Sequence, residues 1–292
     1  MLQNHPDAGS RSFVLLAPSA GSVPSRFGQI DTNACRYEDL LGAMQRLRGR
    51  IYRDDGAIEP YQLIDSRHVL PIDEESWHLL LLDARGEVRG CARYREHPNS
   101  VRFGRLGAAR SALALCREQG PKLKASVEAE LAMARQLRLP YVELGGWALD
   151  ESIRGTTEAL RMAMATYALA QALGGGVGIS TVTQRHSSSS ILRRLGGQAF
   201  ECGGAELPAY YDPEYKCGME ILRFYSWAPH QRYEARVGAM RPVLQDATVV
   251  CGGAGASAWL PRRSTISYPP IPWGRGNGFV SFPGTPDLGS AA

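Results

Sequence analysis

Long apolar runs and paired cysteines are missing from this sequence of 292 residues. No stretch approaches the roughly 20 apolar residues that a membrane-spanning helix needs, and the polar start at residues 1–5 lacks the apolar core of a signal peptide. The six cysteines are scattered, with no C-x-x-C pair and no histidine at the spacing of a zinc site. We therefore expect a cytoplasmic protein with no membrane span, no bound metal and reduced thiols, with a catalytic cysteine as the alternative.

A strong excess of charge of one sign is also missing. The 33 basic and 29 acidic residues leave a net charge of only +4, which excludes a polycationic binder, and no basic-aromatic motif suggests a nucleic-acid partner. Hydrophobic residues make up 44% of the chain, enough to bury a core.

Both ends of the chain lack a sustained hydrophobic period. Residues 1–33 mix Ser, Gly, Pro and Asn, and only residues 13–16 could form a short strand. We predict a soft N-terminal segment over 1–33, a folded domain over 34–228, and a C-terminal extension over 229–292 that is loosely ordered or docked on the domain.

Regular elements are legible between the ends, and their order is typical of one mixed α/β (α+β) sheet with helices on its faces. Helical stripes and glycine-terminated apolar segments predict helices, and apolar runs separated by turns predict strands. The predicted elements are a helix over 37–52, a hairpin over 77–82 and 88–94, a helix after Pro121, a strand over 141–149, a helix over 156–173, a strand over 177–183, a helix over 187–195, and strands near 199–202 and 219–225.

The corner between the strand over 141–149 and the helix that follows is a candidate anion site. The first-turn amides of a helix point outward unpaired and attract anions such as a pyrophosphate. Arg154 would add charge, and Gly155 would let a ligand approach the backbone closely. The alternative is an ordinary helix cap. Paired glycines inside the strand, Gly145 and Gly146, favour a bulge or a close ligand approach.

Two charged residues on central strands need an explanation. Glu143 should share a face with Gly145 and Trp147 by alternation, opposite Ala148. A carboxylate there is costly unless it is paired or used, so Glu143 is either a general base with a raised pKa or a salt-bridge partner of an arginine. Arg93, in the second strand of the hairpin, needs a partner that Asp73 or Glu143 could supply.

Several of these residues together resemble a known family. Residues 47–52 with Arg48 and Tyr52, then Asp73, the segment 90–94 and the segment 143–150 resemble the acyl-homoserine-lactone autoinducer synthases. They are still more similar to the long-chain N-acyl amino acid synthases, as is the segment 210–219. Both groups belong to the GNAT acyltransferase superfamily, and the resemblance covers about residues 37–226.

This resemblance implies a GNAT-like, mostly antiparallel central sheet and an N-acyltransferase. A fatty acyl group would pass from an acyl carrier protein or coenzyme A thioester to the amino group of an amino acid or similar small amine, with no permanently bound cofactor. Glu143 and Arg93 would be catalytic, and Arg48, Tyr52 and Asp73 would contact the acceptor. The acyl-phosphopantetheine donor would be held by a larger set: Gly145, Gly146, Trp147, Ala148, Arg154, Gly155, Thr156 and Thr157.

Departures from the family pattern indicate which acceptor and which donor to expect. Autoinducer synthases carry Ser-Arg where this chain has Gly145-Gly146, and Trp where it has Ile58, which favours the amino-acid branch. Only residues 154–157 match the glycine-rich pyrophosphate loop of the superfamily. This weak match favours acyl carrier protein over coenzyme A as the donor. A basic dock for that acidic protein would comprise Arg102, Arg105, Arg110, Lys122 and Lys124, with a solvated basic surface as the alternative. An acyl tunnel would be lined by Trp147, Met162, Met164 and Phe200, although such apolar residues more often belong to the plain core. The alternatives are an autoinducer synthase, a short-chain acetyltransferase, or a non-catalytic acyl-thioester-binding module.

Overall fold

A ten-stranded sheet runs through the part of the protein that the computed structural model describes, residues 11–252. The strands in these residues are β1 (Ser12–Leu16), β2 (Gln29–Asp31), β3 (Trp77–Leu82), β4 (Val88–His97), β5 (Tyr141–Leu149), β6 (Val177–Thr183), β7 (Gln198–Ala199), β8 (Glu201–Cys202), β9 (Ala205–Glu206), β10 (Tyr210–Asp212), β11 (Cys217–Tyr225) and β12 (Thr248–Val250). The α-helices are α1 (Ala34–Asp54), α2 (Ala112–Leu115), α3 (Gln119–Leu137), α4 (Glu158–Ala172), α5 (Ser188–Arg194) and α6 (Gln231–Gln245).

The strand order in the large sheet is β10-β11-β6-β5-β4-β3-β1-β12-β2, with β7 also paired to β11. Three of these pairings are parallel, namely β5 with β6, β1 with β12, and β12 with β2. The other pairings in this sheet are antiparallel. The predicted mixed, mostly antiparallel sheet is therefore confirmed. Within residues 11–252, no helix has both the length and the apolar composition needed to cross a bilayer.

Helices cover both faces of the sheet because alternate strand residues are apolar on each side. Val14 and Leu16 of β1 pack beneath α1, whereas Phe13 and Leu15 pack on the opposite side with α4 and α6. Every residue of β3 is buried, as expected for a strand covered on both faces. We call these two sides the α1 face, which α3 also covers, and the α4 face.

The helix α1 is defined by a cap and an apolar stripe. The Asn33 side chain accepts a hydrogen bond from the Arg36 amide, which satisfies a free N–H of the first turn. Leu40, Met44 and Leu47 lie on the buried stripe, and Arg48 lies next to them. The stripe therefore carries one charged side chain into the interior.

The sheet extends beyond the predicted domain limits of 34 and 228. The strands β1 and β2 lie within the segment predicted to be soft, and α6 and β12 lie within the predicted C-terminal extension. The strand β1 pairs with both β3 and β12, so the first and last strands within residues 11–252 meet inside one sheet. The predicted boundaries are corrected accordingly, while the predictions for residues 1–10 and 253–292 lie outside the described residues.

Candidate active site

The strands β5 and β6 separate about halfway along their length. They pair in parallel from Tyr141 with Val177 to Leu144 with Ser180, and the ladder stops there although β5 continues to Leu149 and β6 to Thr183. The Ser180 hydroxyl donates to the Leu144 carbonyl at 3.0 Å and closes the paired section. We call the gap between residues 145–149 and 181–183 the cleft.

A β-bulge in β5 lies beside the cleft. The β4–β5 ladder pairs Arg93 with Gly145 and then Cys91 with Ala148, so two residues of β5 lie opposite one residue of β4. Gly146 has a φ of +61°, and a Cβ added there would lie 3.1 Å from the Arg93 Cβ. Only glycine fits this backbone without strain.

The bulge overturns the predicted sharing of faces along β5. Its extra residue inverts the alternation, so Trp147 packs on the α4 face with Leu144, and Ala148 packs beneath α1. Glu143 therefore shares a face with Ala148 rather than with Trp147. A regular period of two could not anticipate this inversion.

Arg48 and Asp73 form a complete ion pair in the interior. Arg48 has 0% exposure and donates to both Asp73 oxygens, at 2.9 and 2.6 Å, and to the His68 carbonyl. Burial alone would raise the pKa of Asp73, but the hydrogen bonds and charge of Arg48 outweigh it and hold that pKa below its ordinary value. Two of the predicted acceptor residues thus satisfy each other.

Arg93 is the second guanidinium near Asp73, and the Arg48–Asp73 pair leaves it without a hydrogen bond to that carboxylate. Its Nη1 lies 3.9 Å from the nearer Asp73 oxygen, too far for a hydrogen bond. Among the described residues, its buried Nε and Nη1 have no hydrogen-bond partner. Burial and the neighbouring charge of Arg48 lower the pKa of Arg93. The guanidinium is therefore only loosely paired with Asp73 and keeps donors that suit an anionic ligand.

Glu143 is held by partners other than the predicted arginine. Its Oε2 lies 2.8 Å from the Nε2 of His97, and its Oε1 accepts from the Gly107 amide at 2.6 Å. Burial would raise the pKa of Glu143, but these hydrogen bonds lower it below the ordinary value. The predicted raised pKa is therefore wrong. His97 lies 46 positions from Glu143 in sequence and is brought near by the β4–β5 register.

Aromatic side chains complete the surroundings of Arg93. The Tyr52 ring lies 5.6 Å from that of His68, and burial raises the pKa of Tyr52. Burial, followed by the charge of Arg48, lowers the pKa of His68 to about 4, so the imidazole is neutral at pH 7. Tyr215 also lies within the electrostatic reach of Arg93; it falls in the family-like segment 210–219 but was not predicted as a site residue. We call Arg93, Tyr52, His68 and Tyr215 the Arg93 basin.

Hydrogen bonds and an ion pair of Asp150 hold the corner that follows β5. Its carboxylate accepts from the amide and hydroxyl of Ser152, at 3.0 and 2.6 Å, and pairs with Arg50 of α1 at 2.7 Å. Burial opposes ionisation, but these partners outweigh it and lower the pKa of Asp150 to about 2. The start of the cleft is therefore fixed to α1.

The predicted phosphate-binding residues do lie together at this corner, although they do not form a strong anion site. Arg154 donates to the Leu149 carbonyl at 3.2 Å, and Gly155 has a φ of +72° in open space. At the start of α4, Thr157 makes no side-chain cap, and the Thr156 hydroxyl accepts from the amide of Glu158 at 3.2 Å. Glu158, in the first turn of α4, pairs with Arg11 at 3.6 Å and with Arg161 at 3.3 Å.

Comparisons with known proteins bear on the fold. No family model matches the chain, and no curated protein matches it. The solved structure of BjaI, a CoA-dependent acyl-homoserine lactone synthase with SAM and isopentyl-CoA, has a TM-score of 0.51 at 15% identity, over 82% of this chain and 92% of that one. The fold is GNAT-like.

Two further solved structures are more distant. FeeM, an N-acyl amino acid synthase from uncultured soil microbes, gives a TM-score of 0.40 at 14% identity, over 64% of this chain and 86% of its own. Arylalkylamine N-acetyltransferase 2 from Aedes aegypti gives a TM-score of 0.41 at 15% identity, over 67% of this chain and 97% of its own. The resemblance to GNAT-type acyltransferases predicted from the sequence is thus confirmed at the level of the fold.

The predicted tunnel residues of this GNAT-like protein do not share one side of the sheet. Trp147, Met162 and Met164 lie on the α4 face, whereas Phe200 packs against α3 on the other face. The prediction that Phe200 lines the same tunnel is therefore wrong. A narrow apolar crevice on the α4 face, lined by Val142, Leu144, Tyr167 and Gly178 among others, lies over the section where β5 and β6 are paired.

The predicted basic dock is partly realised next to Glu143. Arg102, Arg105 and Arg110 are exposed in the segment that contributes the Gly107 amide. Residues 98–117 carry four arginines and no acidic residue. Lys122 differs, because it pairs with Glu118 at 3.2 Å.

Proposed function

We propose that the protein is an N-acyltransferase that moves a fatty acyl group from a phosphopantetheine thioester to the amino group of an amino acid or similar small amine. The observation that carries this proposal is the buried guanidinium of Arg93, which lacks hydrogen-bond partners on Nε and Nη1 and lies next to the cleft. The GNAT-like fold supports acyl transfer as the reaction class, and the solved structure of BjaI holds isopentyl-CoA.

The cleft suits the donor arm. Phosphopantetheine is slender and rich in amides, so it can form ladder-type hydrogen bonds with a strand edge that has no neighbour. Beyond Leu144 and Ser180, β5 and β6 present such edges to each other. Amides of residues 145–148 would then polarise the thioester carbonyl, a contribution of about 3–4 kcal/mol for one good donor.

The Arg93 basin suits the acceptor. A carboxylate of the acceptor would take the free donors of Arg93, giving a charge-assisted pair. The positive charge that Arg48 and Arg93 hold in excess over Asp73 would also lower the pKa of the nearby ammonium group and favour the neutral amine. That amine attacks the thioester carbon, so a C–N bond forms and a C–S bond breaks. The ammonium group loses one proton to water before it attacks. Of the two protons that remain on the nitrogen, one leaves with the thiol and the other stays on the amide.

Glu143 acts in this proposal as a positioning residue. Both of its oxygens are already engaged, by His97 and by the Gly107 amide, and its lowered pKa makes it a weak base. It fixes the exposed segment around Gly107 to β5, next to the cleft. The role differs from the general base that its position in sequence suggested.

We further propose an acyl carrier protein as the source of the donor. Coenzyme A would need a pyrophosphate loop before α4, and in this chain only residues 154–157 match that loop. A carrier protein brings an acidic surface instead, which the arginines of residues 98–117 complement.

Mass spectrometry after incubation with acyl carrier protein thioesters, coenzyme A thioesters and a pool of amines tests the function. We expect N-acyl amino acids from the carrier-protein donor. Lactones, acetylated amines, or donor binding without turnover would each contradict the proposal.

The replacement Arg93→Gln tests the acceptor site. We expect the KM for the amino acid to rise at least tenfold, because the carboxylate loses its partner, and no such rise for the same amine without its carboxylate. Arg95→Gln is the matched control, since Arg95 lies on the same face of β4 and pairs with the exposed Glu75 at 2.6 Å. Equal effects on both acceptors would refute the carboxylate assignment.

A further inference from the structure

Two arginines and a histidine from separate corners converge on Asp55, the residue that follows α1. The Asp55 carboxylate lies 3.6 Å from Nη2 of Arg154 and 3.0 Å from Nε2 of His186. Arg185 donates to its main-chain carbonyl. The Asp55 side chain is largely buried, with 20% exposure, and its amide caps the helix by donating to the Ile51 carbonyl.

These partners come from the two sides of the cleft. Arg154 belongs to the corner between β5 and α4, and Arg185 and His186 belong to the corner between β6 and α5. Asp55 therefore bridges the loops that follow the two parted strands. His186 and Ser187 both have positive φ values, +51° and +59°, so the second corner is held in a backbone conformation that non-glycine residues adopt at a cost.

The group that bridges the two corners, the Asp55 carboxylate, is an anion. The proposed function requires a second anion, the phosphate of the donor, to bind at the same place. A phosphopantetheine arm in the cleft would bring its phosphate out at these corners, next to Arg154. Two like charges about 4 Å apart repel by about 1 kcal/mol even in bulk water and by more at a partly buried site. The phosphate and the Asp55 carboxylate cannot therefore both hold Arg154 and His186 favourably.

We propose that Asp55 is a competitor built into the phosphate subsite: its carboxylate holds Arg154 and His186 while the cleft is empty, and the donor's phosphate replaces it on binding. This inference rests on the proposed function, since it assumes a phosphopantetheine donor. It makes Asp55 a residue that weakens donor binding and keeps the two corners together between turnovers.

Isothermal titration calorimetry with 4′-phosphopantetheine and with pantetheine, which lacks the phosphate, tests the proposal. In Asp55→Asn we expect the Kd for 4′-phosphopantetheine to fall about tenfold and the Kd for pantetheine to stay unchanged. Asp54→Asn is the control, because Asp54 pairs with its exposed neighbour Arg53 and does not face the cleft corners. An unchanged or raised Kd for 4′-phosphopantetheine in Asp55→Asn would overturn the proposal.

A second variant keeps the test valid even if Asp55→Asn folds poorly. Arg154→Gln should abolish any preference of the protein for 4′-phosphopantetheine over pantetheine, and a preference that persists would also overturn the proposal. Failure of the proposed function gives a different result, because wild-type protein would then bind neither compound. Binding of both compounds with no effect of either variant would refute the role of Asp55 alone.

Discussion

At the scale of single residues, two guanidinium groups compete for one carboxylate. Asp73 accepts hydrogen bonds from Arg48 at 2.9 and 2.6 Å and lies 3.9 Å from Arg93, so one carboxylate faces two guanidinium charges. Stability alone would not favour this arrangement, because a net positive charge in the interior is costly. Such a cost is typical of a binding site that completes its pairing only with the ligand.

Asp150 gives a prediction about pH dependence. Its pKa is about 2 in the folded protein against 3.8 as its ordinary value, so its ionised form stabilises the fold above pH 4, and this contribution is lost as the pH falls from about 4 to 2. Asp150→Asn should therefore lower the free energy of unfolding by about 1–2 kcal/mol at pH 7. Urea denaturation between pH 7 and pH 3 measures the difference.

The difference between wild type and Asp150→Asn should shrink as the solution is acidified. Asp54→Asn serves as the control, because Asp54 pairs only at the surface with Arg53 and should change stability by less than about 0.5 kcal/mol. A constant difference from pH 7 to pH 3 would mean that the ionised carboxylate is not the source of the effect.

At the scale of elements, the bulge in β5 shapes both sides of the site. It turns Trp147 to the α4 face and Ala148 to the α1 face, and it places Gly146 against Arg93. In a regular strand, the alternation that begins at Val142 would instead place Trp147 on the α1 face and Ala148 on the α4 face.

Replacing the bulge glycine tests this arrangement. Gly146→Ala combines a φ of +61° with a Cβ 3.1 Å from that of Arg93, whereas Gly155→Ala has a φ of +72° and no atom within 4 Å. Gly155→Ala should cost about 1–2 kcal/mol from the backbone alone, and Gly146→Ala should cost at least about 1 kcal/mol more. Thermal or urea unfolding measures both, and equal costs would show that the contact with Arg93 yields without strain.

The same elements show what sequence can and cannot predict. The bounds of β5 and β6 follow directly from their apolar runs and the glycines that flank them, and they match residues 141–149 and 177–183. Gly145 and Gly146 indicated a bulge as one possibility, but not that alternation inverts there. The contact of Glu143 with His97 depends on strand register, and register arises from tertiary pairing rather than from local sequence.

At the scale of the whole molecule, the segments at the two limits of the described residues complete the sheet. The strand β1 lies between β3 and β12, and β12 also pairs with β2. Strands of three to five residues carry too few apolar positions for a recognisable period, so a short strand over 13–16 could be predicted but its place in the sheet interior could not. The helix α6, which connects β11 to β12, packs against α4 on the α4 face of the sheet.

This arrangement predicts that residues 231–250 unfold together with the rest of the sheet. Leu244 of α6 is fully buried in the cluster that includes α4 and β1, whereas its neighbour Val243 is 44% exposed. Leu244→Ala should lower the free energy of unfolding by about 2–4 kcal/mol, and Val243→Ala should change it by less than about 0.5 kcal/mol.

Urea denaturation followed by both far-ultraviolet circular dichroism and tryptophan fluorescence should give one shared transition in each variant. A separate early transition in Leu244→Ala, or no loss of stability, would mean that α6 and β12 form an appendage that the central sheet does not need, and the boundary at residue 228 would then stand after all.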